Sequence, residues 1–259
     1  MSGARPVHRE AKKGHLMTAA VGTDSTSPHD QLPLLQVIVG STRPGRVGLP
    51  VAEWFVSEVA EPGPFDVELV DLAEVNLPMF DEPRHPRLGQ YEHEHTHRWS
   101  ATVARADAFV MVVPEYNYSY NAALKNAIDY LYDEWHHKPV GFVSYGGAGA
   151  GTRAVQALKQ VVTTLRMVPI FESVNIPFVA KLRTEDGRIE PTAAMSESAM
   201  SMTAELARWV EPLSGLRNEA GLRNGAGLRD EAARSSTDGH SRRVRRDLLS
   251  TRTGTGVEP

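Results

Sequence analysis

Three short stretches concentrate the residue types that ligand chemistry needs. The first, Gly40-Ser41-Thr42-Arg43-Pro44-Gly45-Arg46, offers two hydroxyls and two guanidinium groups, contains no acid, and leads into Val47 and Gly48. A phosphate monoester carries about −1.5 to −2 charges near neutral pH, and the oriented amides of a helix start attract such an anion. The spacing GxxxxG is followed by Arg46-Val47. The lysine and hydroxyl of a nucleoside-triphosphate loop are therefore missing, and a phosphate held without a metal ion fits better. The second stretch, Pro114-Glu115-Tyr116-Asn117-Tyr118-Ser119-Tyr120-Asn121, places three aromatic rings and two amides within eight residues. Aromatic planes suit a flat ring system, and amides suit its polar edge. The third, Tyr145-Gly146-Gly147-Ala148-Gly149-Ala150-Gly151, is so poor in side chains that backbone or ligand must lie against it.

Two rival chemistries share these or neighbouring residues. Gly149-Ala150-Gly151-Thr152-Arg153-Ala154 matches the dinucleotide pattern GxGxxA, and Glu172 follows after the next strand. That match sits after a fourth strand and leaves the first loop without a purpose. His93-Glu94-His95-Thr96-His97 matches HExxH, a zinc-hydrolase spacing. No apolar helix surrounds it, so a solvated helix start or a lid is the expected role, with no metal bound.

The elements that must position these residues are legible from periodicity. Leu34–Val39, Ala108–Val113 and Val140–Tyr145 are nearly continuous apolar runs, as strands buried on both faces require. Phe65–Leu72 alternates as a strand, and Met167–Phe171 reads as a fifth. Helical spacing covers 47–60, His97–Ala106, Asn121–Tyr132, Arg153–Arg166 and Thr192–Val210. Strands separated by helices require parallel pairing and crossover connections, hence a doubly wound α/β sheet with helices on both faces. Ligands bind such sheets outside the carboxyl ends of the strands, where the strand order reverses. That rule selects the loops at 40–47, 114–121 and 145–152, the three unusual stretches.

Composition sets the outer limits. The 259 residues are 41% hydrophobic and 23% charged, with no cysteine and a formal charge of −4. Disulfides, thiolate metal sites and cysteine nucleophiles are excluded, so any redox role falls to a bound cofactor. The acidic balance argues against nucleic acid as a partner. No apolar run approaches the ~18 residues of a membrane span, and the amino-terminal segment lacks the apolar stretch of a secretory signal. No membrane association and a cytoplasmic location are expected. Residues 1–31 are polar and aperiodic, and the segment 214–259 holds the repeat GLRNEA, GLRNGA, GLRDEA and the cluster RRVRR. Both ends read as disordered, flanking one domain over 32–213.

The segments VIVGSTRPGRVG, VVPEYNYSYNAALKNAIDYL and KPVGFVSYGGAGAGTRAVQAL, in this order, resemble the NADPH-dependent FMN reductase family, which includes quinone and azobenzene reductases. The resemblance spans roughly residues 34–180. It implies a flavodoxin-like five-stranded parallel sheet of order 2-1-3-4-5, with FMN and NADPH as cofactors. It also implies a ping-pong cycle that delivers reducing equivalents to a small-molecule acceptor: a flavin, a quinone or an azo compound. By the resemblance the first loop holds the FMN phosphate through Ser41, Thr42, Arg43 and Arg46, with backbone from Val47 and Gly48. Pro114, Glu115, Tyr116 and Asn117 face the isoalloxazine and ribityl, and Ser144, Tyr145, Gly146 and Gly147 lie beside the ring. No catalytic acid or base is implied, because the flavin carries the chemistry. A homodimer or homotetramer is implied, with Trp99, Tyr130 and Trp135 as expected interface aromatics. Two departures stand out. Arg46 replaces a common second serine, and Tyr118-Ser119-Tyr120 replaces a common Gly-Ser, which narrows the pocket over the flavin. The alternative reading is an FMN-binding electron carrier without NADPH activity, although a carrier's strongly acidic docking face has little support in a charge of −4.

Overall fold

The computed structural model describes residues 32–60, 62–220 and 242–243. The expected disorder of residues 1–31, and the expected tail apart from residues 214–220 and 242–243, lie outside these. The strands are β1 (Leu34–Val39), β2 (Asp66–Asp71), β3 (Ala108–Pro114), β4 (Pro139–Tyr145) and β5 (Val168–Ile176). They pair in parallel in the order 5-4-3-1-2, as the doubly wound reading requires. A two-residue strand β6 (Arg242–Arg243) adds to the outer edge of β2 in antiparallel sense. The sequence reading did not expect it, since the arginine-rich segment carries no strand signal.

Helices α1 (Gly48–Val59), α2 (Leu72–Val75), α3 (Glu94–Ala104), α4 (Ala122–Asp129), α5 (Thr152–Thr164) and α6 (Ala193–Glu219) complete the fold. Alternation along β1 divides the core into two layers. Leu35, Val37 and Val39 pack with Val51 and Phe55 of α1 and Met202 and Leu206 of α6. Ile38 faces the other layer, with Trp99 of α3, Leu124 of α4 and Leu158 of α5. Both faces of the central strands are thus dry, which is why they carry continuous apolar runs.

Several expectations are corrected. Trp99, Tyr130 and Trp135 are core residues and not interface aromatics, at 1%, 0% and 0% exposure. Their polar atoms are satisfied internally: Trp99 Nε1 donates to Ala127 O, Trp135 Nε1 to Ile128 O, and Tyr130 Oη to Asp81. β5 continues past Phe171 to Ile176 because Ile170, Val174 and Ile176 turn inward beneath exposed neighbours. α6 passes through Pro212 and ends at Glu219, so the first hexapeptide of the repeat is helical and not a disordered tail. Leu213 and Arg217 continue its buried face. Arg217 is 1% exposed, and its Nη1 donates to His137 O at 2.7 Å. Among the described residues no helix is long and apolar enough to cross a membrane.

Candidate active site

The strand order reverses between β1 and β3, so the loops leaving β1, β3 and β4 emerge side by side at one end of the sheet. Backbone and amide contacts tie them together. The Gly40 amide donates to Val112 O at 3.0 Å, and Asn121 Nδ2 donates to Gly40 O at 2.6 Å. The Glu115 amide donates to Tyr145 O at 3.3 Å.

The first loop ends in an uncapped helix. Val47 occupies the N-cap of α1 and offers no side-chain acceptor, and the first turn carries no acid. Pro50 has no amide, so Gly48 and Leu49 supply the amides available to an incoming anion. Natural sequences favour Ser, Thr, Asp or Asn at this position. Their absence leaves the first amides of α1 without a side-chain cap. Thr42 and Arg43 are exposed beside it. Arg46 is directed elsewhere: its Nη2 pairs with Asp71 at the carboxyl end of β2. Ser41 is buried and hydrogen-bonded with the Tyr145 hydroxyl. Burial pushes that phenol up to about 12, against the pull of the Ser41 hydrogen bond. Gly48 is required here, because a Cβ on it would lie 2.6 Å from the Tyr145 hydroxyl.

The second loop closes as a tight reverse turn. The amides of Tyr116 and Ser119 each donate to the other residue's carbonyl at 2.9 Å. Asn117 and Tyr118 sit between them at φ 50° and 67°, the paired left-handed geometry of a type I′ turn. Tyr116 and Tyr118 are exposed, at 42% and 69%. Pro114 ends β3, and the Glu115 side chain is tucked beneath the turn.

The third loop is shaped from inside. Ser144 Oγ is buried, donates to Ala150 O at 2.8 Å and lies 3.0 Å from Asn175 Oδ1. It folds the glycine-rich loop and does not project from it. Gly151 has φ +79°, and a Cβ there would meet the Tyr145 backbone amide at 2.8 Å. The carbonyls of Gly146 and Gly147 accept from the amides of Val179 and Phe178. Gly147 itself has nothing within 4 Å of its would-be Cβ. No contact among the described residues explains why a side chain is missing there.

Sequence reasoning missed Arg153. It lies on the second residue of α5, donates through Nε and Nη2 to Glu115 Oε1, and stacks on the Tyr118 ring. The only signal was Gly149, whose missing side chain lets Arg153 fold back over the loop. Among the buried polar atoms without a partner are Arg46 Nε, Glu115 Oε2 and Asn121 Oδ1, all on the first two loops. Buried polar groups are normally paired. Orphans gathered at the ligand end of the sheet, beside an uncapped helix and an open glycine, fit a bound phosphate-bearing ring compound.

The rival motifs are placed differently. Glu172 lies within β5 and not at its carboxyl end, which removes the acid that a dinucleotide site needs after the GxGxxA loop. His93 is the N-cap of α3 and outside the helix; its ring stacks on His95, while His97 contacts Tyr91. The two ends of HExxH therefore face different partners. Among the described residues no group of three His, Asp or Glu side chains is placed to hold a metal ion.

Comparison with known proteins agrees with this geometry. The family model for NADPH-dependent FMN reductases matches residues 33–181. An NAD(P)H-dependent FMN reductase of Schizosaccharomyces pombe is 44% identical over 149 residues, covering 56% of this chain and 74% of the relative. An FMN-dependent NADPH-azoreductase of Staphylococcus saprophyticus is 30% identical over 130 residues, covering 50% and 69%. The fold matches the flavoenzyme NAD(P)H:(acceptor) oxidoreductase FerB of Paracoccus denitrificans with a TM-score of 0.57 at 22% identity, over 70% of this chain and 98% of that one. The chain belongs to the NADPH-dependent FMN reductase family, whose members use NAD(P)H and FMN.

Proposed function

We propose that the protein binds FMN across the three loops and passes reducing equivalents from NADPH to a small quinone or azo acceptor. The observation that carries the reading is the acid-free, uncapped start of α1 beside Arg43, at the point where the strand order reverses. Arg43, Thr42 and the amides of Gly48 and Leu49 would hold the phosphate, and Ser41 would anchor the loop through Tyr145. Pro114, Glu115, Tyr116 and Asn117 would border the ring on one side, with Tyr145, Gly146 and Gly147 on the other. Arg46 and Ser144 act within this arrangement by shaping the loops they belong to. Bound there, FMN supplies reversible two-electron chemistry, and the protein's own part is to bind, orient and exclude water. We also infer a cytoplasmic homodimer or homotetramer.

The visible spectrum of the purified protein, followed by NADPH under argon, tests the reading. A flavin spectrum that bleaches supports it. Flavin that stays oxidised favours an electron carrier, and no flavin after FMN is supplied refutes the site assignment.

A further inference from the structure

The phosphate cradle and the loop backbones leave Arg153 without a role. Its guanidinium turns back over Gly149, where any Cβ would lie 2.6 Å from Nη2. From there it reaches the opposite loop. Nε donates to Glu115 Oε1 at 2.7 Å, Nη2 donates to the same oxygen, and Cζ stands 3.9 Å from the centroid of the Tyr118 ring. Glu115 is almost wholly buried, and its other oxygen has no partner. Arg153 is thus the counter-charge that makes a buried carboxylate tolerable at the end of β3. Tyr118 needs holding for a different reason. Its φ of 67° lies in the left-handed region, which a residue with a Cβ adopts at a cost, yet its ring stands 69% exposed. Strained residues of this kind gather at ligand sites.

We propose that Arg153 is a positioning residue that locks the Tyr116–Ser119 turn against the glycine-rich loop. Held in this way, Tyr118 presents its exposed ring as a wall beside the loops, which narrows access for larger acceptors. The acceptor part rests on the reductase reading above, whereas the positioning part does not.

Amide exchange followed by mass spectrometry on the flavin-free full chain measures the positioning. Arg153→Ala is expected to speed exchange at Tyr116 and Ser119 by about tenfold or more. Arg153→Lys keeps the charge but not the planar stack, and an intermediate rate is expected. Unchanged exchange in Arg153→Ala overturns the proposal. With FMN and NADPH supplied, 1,4-benzoquinone and anthraquinone-2-sulfonate then report the wall. Tyr118→Gly is expected to raise kcat/KM for the larger acceptor relative to the smaller by about tenfold, through acceptor KM, while Tyr118→Phe keeps the original ratio. A ratio within about twofold of the original in Tyr118→Gly overturns the wall. A chain that binds no flavin refutes the proposed function instead, and the exchange result still decides whether Arg153 positions the turn.

Discussion

Adding one methyl group at Gly48 should break the joint between the first loop and β4. An ideal Cβ there stands 2.6 Å from the Tyr145 hydroxyl oxygen and 3.4 Å from its Cζ. Ordinary carbon contacts begin near ~3.5 Å, so the ring must retreat by roughly 1 Å. Tyr145 is 6% exposed within the core layer beneath α1, and overpacking of that kind costs about 1–3 kcal/mol. Gly48 opens α1, where the helix preference of alanine returns at most about 1 kcal/mol. Gly48→Ala is therefore expected to lower stability by about 1–2 kcal/mol. Tyr145→Phe removes the offending oxygen together with the Ser41 hydrogen bond, at a cost of about 0.5–1.5 kcal/mol. In that background the nearest ring carbon lies at a tolerable 3.4 Å, so Gly48→Ala becomes almost neutral. Urea unfolding of the four flavin-free proteins gives the coupling energy directly, expected at about 1–2 kcal/mol with Tyr145→Phe rescuing Gly48→Ala. Effects that add to within about 0.5 kcal/mol would mean that the hydroxyl does not press on the start of α1.

Three further outcomes are expected. Arg43→Ala should weaken FMN binding by more than about tenfold, or 1.4 kcal/mol, in a flavin fluorescence titration; equal retention sinks the phosphate assignment. Gly147→Ala should leave unfolding stability within about 0.5 kcal/mol, because nothing lies within 4 Å of its Cβ, yet reduce FMN affinity by about tenfold. Undiminished affinity would place the flavin away from that glycine. Burial, with Arg217 adding to it, lowers Lys138 from 10.5 to about 7. Between those pH values the unfolded chain holds a proton that the folded chain lacks, so stability rises with pH by at most about 1.4 kcal/mol per unit. Urea midpoints from pH 7 to 9 should show the slope in the parent protein and lose most of it in Lys138→Met; identical slopes would contradict the burial argument.

What the sequence disclosed follows from which contacts are local. β1, β3 and β4 were legible because strands covered on both faces must be largely apolar, and Gln36 is the polar exception within β1. Its Nε2 donates to Glu68 and to Thr102 O, a pairing across strands that no local pattern announces. β5 is an edge strand, and its exposed Phe171 and Asn175 and half-buried Glu172 and Ser173 blur the alternation, so its second half was missed. α3 begins three residues before its expected start because Glu82 accepts from the amides of Glu92 and His93 and fixes the entry of the chain. At the site, the loops were recognisable by composition, but the direction of each side chain was not. Ser144 points inward to Ala150 and Asn175, and Arg153 points back across Gly149 to Glu115, and both directions depend on which segments the fold brings together.

The two arginines of the first loop show what that difference means for chemistry. Asp71 accepts from the Ala73 amide at 3.0 Å to start α2, and its other oxygen holds Arg46. One carboxylate thereby joins the end of β2, a helix start and the loop, and fixes the loop's shape. Arg43 has no such partner among the described residues and remains exposed at the mouth. Shape and charge are divided between residues three positions apart. A helix start contributes roughly +0.5 charge, so together with Arg43 it offers about +1.5 to a phosphate of about −1.5 to −2. The match is close without drawing on Arg46. Freed from Asp71, Arg46 would overcompensate the phosphate while loosening the loop that presents it. On this reasoning Asp71→Asn should damage FMN binding through disorder of the first loop, seen as faster amide exchange at 41–47, even though it removes a negative charge from the neighbourhood of an anion. Tighter FMN binding in Asp71→Asn would show that charge and not shape limits the site.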